Sequence, residues 1–215
     1  MNTLTSPDVA AVLHHLQAAA EHSETHPTPW TLPNSFSASS AQDRADALQA
    51  DYMPVSRSGC HLLYALARAS RPEVIVEFGA SYGLSTLHLA AAVADNGTGH
   101  VYTTEMSAVK IAALQESLRR SGLDDVVTIL PGDALETLKT VDGPIGMILL
   151  DGWKDLCLPV LRMLEKDLKP GALVIADDTT FESMADYLAY VQEAENGYVS
   201  VPFPVEDGME ISCRV

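Results

Sequence analysis

The sequence predicts a doubly wound α/β fold, in which helices cover both faces of a mostly parallel, seven-stranded sheet. From Arg71 onwards, short apolar runs alternate with stretches of helical periodicity. The runs are continuously apolar, as in parallel strands that are buried on both faces. The last two runs are separated by a turn-rich segment that leaves no room for a helix, so they should form an antiparallel C-terminal hairpin.

Five of the runs are predicted to be parallel strands: Glu73–Phe78, His100–Thr104, Val126–Leu130, Ile145–Leu150 and Ala172–Ala176. Four helices should connect them: Leu84–Ala94, Ser107–Ser121, Ala134–Val141 and Leu156–Asp167. A further helix, Phe181–Glu195, precedes the hairpin strands Tyr198–Val201 and Glu210–Val215. The connections between parallel strands should be right-handed.

The region before the sheet is predicted to add extra N-terminal helices. Residues 1–51 should contain a helix over 8–21, a loop over His22–Ser40 and a weaker helix over Ala41–Ala50. This region is expected to cover a substrate or to contact another copy of the chain. Residues 52–215 should form the ligand-binding domain, whose first predicted helix is Ser58–Ala69.

The net charge and the cysteines indicate what the protein binds and in which compartment it lies. The chain of 215 residues carries a net charge of −16, which disfavours binding to nucleic acids and to anionic membranes. No apolar stretch reaches the length of a membrane span. Three widely spaced cysteines without a zinc-like pairing fit a reducing compartment, so we expect a cytoplasmic protein.

The first predicted strand runs directly into a glycine loop, Glu77-Phe-Gly-Ala-Ser-Tyr-Gly83, and then into a helix. Ligands of open α/β sheets bind beside the carboxyl ends of the strands, where glycines let the backbone approach a ligand closely. The spacing is Glu-x-Gly-x-x-x-Gly, so the dinucleotide fingerprint Gly-x-Gly-x-x-Gly is absent. The loop is either part of a cofactor site or a structural glycine turn with a solvated Glu77.

Acidic residues also follow the second and third predicted strands. A carboxylate at the position of Glu105 can accept hydrogen bonds from both hydroxyls of a ribose. Asp133, which precedes Ala134, could contact a ligand or cap the helix that begins there. A helix cap is the alternative for Glu105 as well. Three strand ends that face one ligand favour a cofactor site over three unrelated turns.

Three aspartates follow the fourth and fifth predicted strands. Asp151 ends one strand, and Asp177 and Asp178 end the other, so the three carboxylates should converge at one edge of the sheet. Clustered like charges are unfavourable unless a cation or a proton lies between them. Ligand sets made only of oxygen favour a hard ion such as Mg²⁺. The alternative is turn chemistry, because Asp-Gly and Asp-Asp-Thr are also good turn sequences.

These motifs resemble those of class I S-adenosylmethionine-dependent methyltransferases, and among them the cation-dependent O-methyltransferases, which include catechol O-methyltransferase and the caffeoyl-CoA enzymes. The similarity runs from about Tyr52 to the end of the chain. It is most specific in Asp151-Gly-Trp-Lys-Asp155 and in the closing segment Pro204–Arg214. The resemblance implies a Rossmann-like fold, S-adenosylmethionine as the methyl donor and a hydroxylated, catechol-like small molecule as the acceptor.

The resemblance also implies roles for individual residues. The expected cofactor contacts are Val55, Glu77, Gly79, Ser85, Glu105, Asp133, Ala134 and Asp151. Glu77 would accept a hydrogen bond from the ammonium of the methionine part, and Ser85 would face its carboxylate. The expected ligands of Mg²⁺, or of another hard divalent cation, are Asp151, Asp177 and Asp178. Lys154 would be the general base, provided that burial or the nearby cation depresses its pKa.

The chain departs from the family pattern in three places. Asp178 replaces an asparagine, which adds a negative charge, and Gly152 replaces the histidine of catechol O-methyltransferase, which removes an adenine contact. The acidic partner of the second substrate hydroxyl cannot be aligned, and the candidates are Glu206, Asp207 and Glu210.

Three other functions remain open from the sequence. A metal-independent methyltransferase would keep the cofactor loop and use the aspartates only as turn residues. A nucleotide-binding oxidoreductase could use a similar sheet, although the missing fingerprint disfavours it. A non-catalytic binding protein would leave Lys154 and the aspartates without a role. The resemblance alone suggests a homodimer through the N-terminal helices.

Overall fold

A computed structural model describes residues 2–32 and 34–215, and a seven-stranded sheet with the order β3-β2-β1-β4-β5-β7-β6 lies at its centre. The strands are β1 (Val74–Phe78), β2 (His100–Glu105), β3 (Val127–Pro131), β4 (Ile145–Leu150), β5 (Leu168–Asp177), β6 (Tyr198–Phe203) and β7 (Met209–Arg214). Strands β1 to β5 pair in parallel, and β7 pairs antiparallel with both β5 and β6. The predicted fold class, including the antiparallel hairpin, is confirmed.

Eight α-helices accompany the sheet in the described residues. They are α1 (Pro7–Thr25), α2 (Ala41–Ala47), α3 (Arg57–Ser70), α4 (Leu84–Asn96), α5 (Ala108–Ser121), α6 (Ala134–Thr137), α7 (Cys157–Leu164) and α8 (Ala185–Gln192). None of the helices within 2–32 and 34–215 combines the length and the apolar character that a membrane crossing requires.

Successive strand residues point to opposite faces of the sheet and build two separate cores. Ile75 of β1 packs with apolar residues of α1, α3, α4 and α5. Its neighbour Val76 packs with α6, α7 and α8 on the other face. Both side chains have no exposed surface. The continuous apolar runs that predicted parallel strands are therefore explained by burial on both faces.

Several predicted boundaries differ from the structure. Strand β5 begins at Leu168 rather than Ala172, because Leu168 pairs with Ile145 before an irregularity that contains Pro170 and Gly171. The first helix continues to Thr25, so the predicted loop begins later, and Pro33 of that loop lies outside the described residues.

The shorter helices also differ from the prediction. Helix α2 ends at Ala47, where a turn follows instead of the predicted helical residues to Ala50. Helix α6 ends at Thr137 and continues as a 3₁₀ turn to Thr140. The predicted helices Leu156–Asp167 and Phe181–Glu195 are likewise α-helices flanked by 3₁₀ turns. Such turns share the apolar spacing of an α-helix over a few residues, so periodicity does not separate the two.

The strand order reverses between β1 and β4, which are neighbours although two strands lie between them in the chain. Ligands of doubly wound sheets bind outside the carboxyl ends of the strands at this point. Here the carboxyl ends of β1 and β4 lead directly into Gly79 and Asp151. The fold therefore brings the glycine loop and the first aspartate of the cluster to one crevice.

Candidate active site

Three carboxylates converge where β4 and β5 end side by side. Asp151 follows β4, Asp177 ends β5 and Asp178 follows it. One oxygen from each of the three lies within 4.8 Å of the others. The predicted clustering of these aspartates is therefore present, and it offers a set of oxygen ligands to a hard cation.

Lys154 lies inside this acidic cluster. Its ammonium is 2.8 Å from Oδ1 of Asp151 and 2.9 Å from Oδ2 of Asp178. Its side chain is only 12% exposed. Burial alone would lower the pKa of Lys154, but the charges of Asp151 and Asp178 outweigh it and raise the pKa above its ordinary value. Without a cation, Lys154 is thus a charged partner of the aspartates, and its expected role as general base requires that a nearby cation lower its pKa.

The aspartates repel one another. Burial first, and then the charges of Asp151 and Asp178, raise the pKa of Asp177 to about 7. Burial also raises the pKa of Asp151, and Lys154 opposes the shift. Three carboxylates face one ammonium, so an excess of negative charge remains in a largely buried place. A divalent cation would relieve this excess, and the ligand set fits one.

The glycine loop must lie close to the loop that carries Asp151. Gly79 has φ +94°, and a Cβ atom there would lie 2.7 Å from the backbone nitrogen of Gly152 and 2.8 Å from the Asp151 carbonyl oxygen. A Cβ at Gly152 would in turn lie 2.4 Å from the Phe78 ring. A side chain at position 152, where this chain departs from the family pattern, would therefore displace the Phe78 ring.

Glu77 is fully buried at the end of β1. Its carboxylate has no exposed surface and accepts hydrogen bonds from the hydroxyls of Ser85, Thr86 and Thr103. Burial raises the pKa of Glu77 to about 7, although the three hydroxyls lower it. The Ser85 hydroxyl, expected to face a ligand carboxylate, is instead 2.6 Å from Oε1 of Glu77. In this structure the two residues bind each other inside the loop.

Glu105 connects the end of β2 to the glycine loop. One carboxylate oxygen accepts hydrogen bonds of 2.8 Å from the backbone amides of Met106 and Ser107. The other accepts one of 2.9 Å from the amide of Ser81. Oε1 thus uses both of its lone pairs, whereas Oε2 keeps one lone pair that can accept a hydrogen bond from a ligand.

Asp133 caps helix α6. Its carboxylate accepts a hydrogen bond of 2.9 Å from the Leu135 amide. This is the capping role that the sequence left open beside a ligand role. The Asp133 side chain is exposed at the end of β3, whereas Ala134 is buried.

The segment before α3 covers the crevice beside Asp151. Val55, Ser85 and Asp151 line one small cavity together with residues 52–54 and 80–82. The cavity volume is about 10 Å³, which holds at most about one water molecule. Binding of a larger ligand here requires this segment or the glycine loop to move outward.

Two buried cations near the site were not identified from the sequence. Lys110 of α5 is 4% exposed, and burial lowers its pKa while Glu105 raises it. Arg44 of α2 is 5% exposed and binds Asp155, next to Lys154. Lys110 lies in the predicted helix Ser107–Ser121. The sequence would indicate its burial only if it were known which face of this helix packs against the sheet. No local signal marks Arg44, whose partner is 111 residues away.

The candidate partners for a second substrate hydroxyl lie in different places. Glu210 is 1% exposed and accepts hydrogen bonds from Ser200 and Gln192, so it does not face the crevice. Glu206 and Asp207 lie in the turn between β6 and β7, whose backbone accepts a hydrogen bond from the Thr180 amide. These two therefore lie near the end of β5, and Glu210 pairs there with Ala176 but has a buried side chain.

The chain is similar in sequence to known methyltransferases. A family model described as a methyltransferase domain matches residues 76–179. The chain is 32% identical to catechol O-methyltransferase of Mus musculus over 148 residues, which cover 65% of this chain and 55% of the mouse protein. It is 30% identical to catechol O-methyltransferase of Sus scrofa over 148 residues, which cover 65% of this chain and 78% of the pig protein. The match thus spans little more than half of the mouse relative.

A similar fold occurs in the Podospora anserina methyltransferase PaMTH1, whose structure contains S-adenosylhomocysteine (SAH). The TM-score is 0.69 at 20% identity, and the alignment covers 100% of this chain and 97% of PaMTH1. At this identity the similarity concerns the fold alone.

Proposed function

The chain belongs to the class I S-adenosylmethionine-dependent O-methyltransferases, and we propose that it transfers the methyl group of S-adenosylmethionine to a hydroxyl of a small, catechol-like molecule with the help of a divalent cation. The observation that carries the proposal is the convergence of Asp151, Asp177 and Asp178 with Lys154, beside the glycine loop. A cofactor loop, a cation site and a titratable amine thereby share one crevice.

The residues at the strand ends would hold the methyl donor. Oε2 of Glu105 has one lone pair free for a ribose hydroxyl, and the exposed side chain of Asp133 would contact the adenine. Val55, Gly79 and Asp151 would contact the methionine part, and Ala134 would pack near the adenine. Ser85 would contact the methionine part as well, after its hydroxyl turns away from Glu77. Glu77 would likewise accept a hydrogen bond from the ammonium only after it releases at least one of its three hydroxyl partners.

The three aspartates would hold Mg²⁺ or a similar hard ion through their oxygens. A cation there would bind the acceptor's oxygens, fix their distance from the methyl group and lower the pKa of the hydroxyl. The acidic residue Asp178 in place of asparagine adds attraction for the ion. The excess of buried negative charge supports this reading over one in which the aspartates are only turn residues.

Lys154 would accept the proton of the hydroxyl. The charges of Asp151 and Asp178 now hold its pKa above the ordinary value. Lys154 can release its proton near neutral pH only when those two charges are balanced by another cation. The role of Lys154 as a base therefore depends on the proposed cation site.

Acceptors with two adjacent oxygens fit a cation site best, because both oxygens can bind one ion. A large polyanionic acceptor, such as an acyl-CoA thioester, is disfavoured by the net charge of −16. Three free cysteines, two of them buried, are consistent with a cytoplasmic location.

The experiment compares catechol with phenol as acceptors, in the presence of Mg²⁺ or of EDTA. We expect methylation of catechol that requires the cation, weak methylation of phenol and loss of turnover in Asp151→Ala. Transfer that persists in EDTA would support the metal-independent alternative. Thermal-shift measurements address the oxidoreductase alternative, since SAH should raise the melting temperature with its concentration and NAD should not.

A further inference from the structure

Arg44 connects the N-terminal region to the loop that carries Lys154. This residue lies in α2, and its side chain is 6% exposed. Its guanidinium donates two parallel hydrogen bonds to Asp155, from Nη1 to Oδ1 at 2.8 Å and from Nη2 to Oδ2 at 2.9 Å. Its Nε donates a third bond of 3.2 Å to the Ser39 carbonyl. A planar guanidinium makes this fork, whereas a lysine ammonium cannot.

Two aromatic rings contact the same guanidinium. Its central carbon lies 5.0 Å from the centre of the Phe36 ring and 5.6 Å from that of Trp153. The two rings meet edge to face, with 5.6 Å between their centres. A cation against two aromatic rings adds attraction to the ion pair and restricts the orientation of both rings. Arg44 thus contacts Trp153 and Asp155 at the same time.

Trp153 and Asp155 are the immediate neighbours of Lys154. The backbone folds into a 3₁₀ turn at these positions, closed by a hydrogen bond from the Leu156 amide to the Trp153 carbonyl. When Arg44 holds both neighbours, the turn can adopt few orientations. The position of the Lys154 ammonium between Asp151 and Asp178 then follows from the turn.

The N-terminal segment is also attached on the other side of the crevice. The Tyr82 hydroxyl donates a hydrogen bond of 2.7 Å to the Gln49 carbonyl, and the Ser81 hydroxyl donates one of 2.8 Å to that of Tyr52. The rings of Tyr52 and Tyr82 stack at 3.9 Å. Residues 44–52 therefore contact the Asp155 turn at one end and the glycine loop at the other. Arg44 makes the contact with the Asp155 turn, next to Lys154.

We propose that Arg44 is a positioning residue, which fixes Trp153 and the Lys154 turn and thereby shapes the wall of the acceptor site. The effect of Arg44 on the acceptor site rests on the proposed methyltransferase function. The effect of Arg44 on the position of Trp153 is independent of that function. The N-terminal region, residues 1–51, thus contributes to the acceptor site through Arg44, although it contains none of the expected cofactor or cation ligands.

The test uses the full chain with Trp30→Phe, so that Trp153 is the remaining tryptophan of the two. Acrylamide quenching of its fluorescence is measured in Arg44→Gln, in Arg44→Lys and in the control Arg119→Gln, which breaks an exposed ion pair with Glu116. Quenching should increase about threefold in both Arg44 variants, because lysine retains the charge but not the fork. The control should not change.

Kinetics and cofactor binding complete the test. In both Arg44 variants kcat/KM for catechol should fall about tenfold, while the Kd of SAH stays within about twofold. Quenching and kcat/KM at the wild-type level in either variant would overturn the proposal. Should Arg44→Gln not fold, Asp155→Asn replaces it with the same expected results, since the Asp155 side chain is 46% exposed. If the wild-type protein methylates no acceptor, the proposed function fails, and the quenching result alone decides whether Arg44 positions Trp153.

Discussion

The Ser85 hydroxyl donates a hydrogen bond of 2.6 Å to the carboxylate of Glu77, and both side chains are buried beneath the glycine loop. Thr86 and Thr103 donate to the other carboxylate oxygen. Glu77, the acidic residue that begins the motif, therefore links the start of the helix after the glycine loop to strand β2 through these hydrogen bonds. Three hydroxyl donors compensate a carboxylate that has lost its contact with water.

Glu77→Gln should change how stability depends on pH. The pKa of Glu77 is about 7 in the folded protein, against about 4.3 in an unfolded chain. Folding therefore takes up a proton between these values, and the stability that this group contributes is full below about pH 4.3 and is lost as the pH rises through about 7. Glutamine does not titrate, so between pH 5 and 8 the wild-type protein should lose roughly 2 to 3 kcal/mol relative to Glu77→Gln.

Urea unfolding of both proteins across this pH range measures the difference. The three hydroxyls can turn to donate or to accept, so the glutamine amide should be tolerated at pH 8. Parallel pH profiles for the two proteins would show that Glu77 is not the titrating group.

Gly79→Ala should separate the glycine loop from the loop of Asp151. The new Cβ would lie 2.7 Å from the backbone of Gly152, at a φ of +94° that L-residues rarely adopt. We expect SAH affinity, measured by calorimetry, to fall more than about tenfold. Gly97→Ala is the matched control, since Gly97 has φ +67° but no atom within 4 Å of the added Cβ. A similar loss of SAH affinity in both variants would mean that backbone strain alone, not the contact with Gly152, is responsible.

Lys154→Met should have opposite effects on cation binding and on catalysis. The ammonium is 2.8 Å from Asp151 and competes with a cation for that carboxylate. Its removal should raise Mg²⁺ affinity about tenfold and abolish most of the turnover. Titration calorimetry and initial rates measure the two effects. Lys166→Met, at a side chain that is 80% exposed, should change neither. Full turnover in Lys154→Met would identify another base.

Asp178→Asn should weaken cation binding without loss of the fold. Asp178 has φ +56°, a conformation that asparagine also adopts, so the melting temperature should change by no more than about 2 °C. Loss of one carboxylate should lower Mg²⁺ affinity several-fold, about 1 kcal/mol. Asp142→Asn, at an exposed position, is the control. An unchanged affinity in Asp178→Asn would exclude Asp178 as a ligand.

The sheet could be predicted from the sequence because strands that are buried on both faces are apolar at nearly every position. Ile145–Leu150 is apolar throughout and was predicted with the observed bounds. The start of β5 could not be predicted, since Pro170 and Gly171 normally end a strand and only pairing with β4 keeps Leu168 in the sheet.

The site was only partly predictable. Chain order and the rule for strand ends suffice to bring Asp151, Asp177 and Asp178 together. The pairing of Ser85 with Glu77 depends on the rotamers inside the loop, and the contact of Arg44 with Asp155 joins residues 111 positions apart. Both are tertiary contacts without a local pattern. The same holds for the charge state of Lys154, which depends on two carboxylates from different strands.

The proposed methyl transfer is tested directly by following a deuterated methyl group from S-adenosylmethionine to catechol by mass spectrometry and NMR. With wild-type protein and Mg²⁺, we predict that the label appears on a catechol oxygen, with one SAH formed for each methyl transferred, and that Asp151→Ala gives no such product. If the wild-type protein bound SAH but left catechol unlabelled, or if Asp151→Ala labelled it at the wild-type rate, the account of the active site would be contradicted.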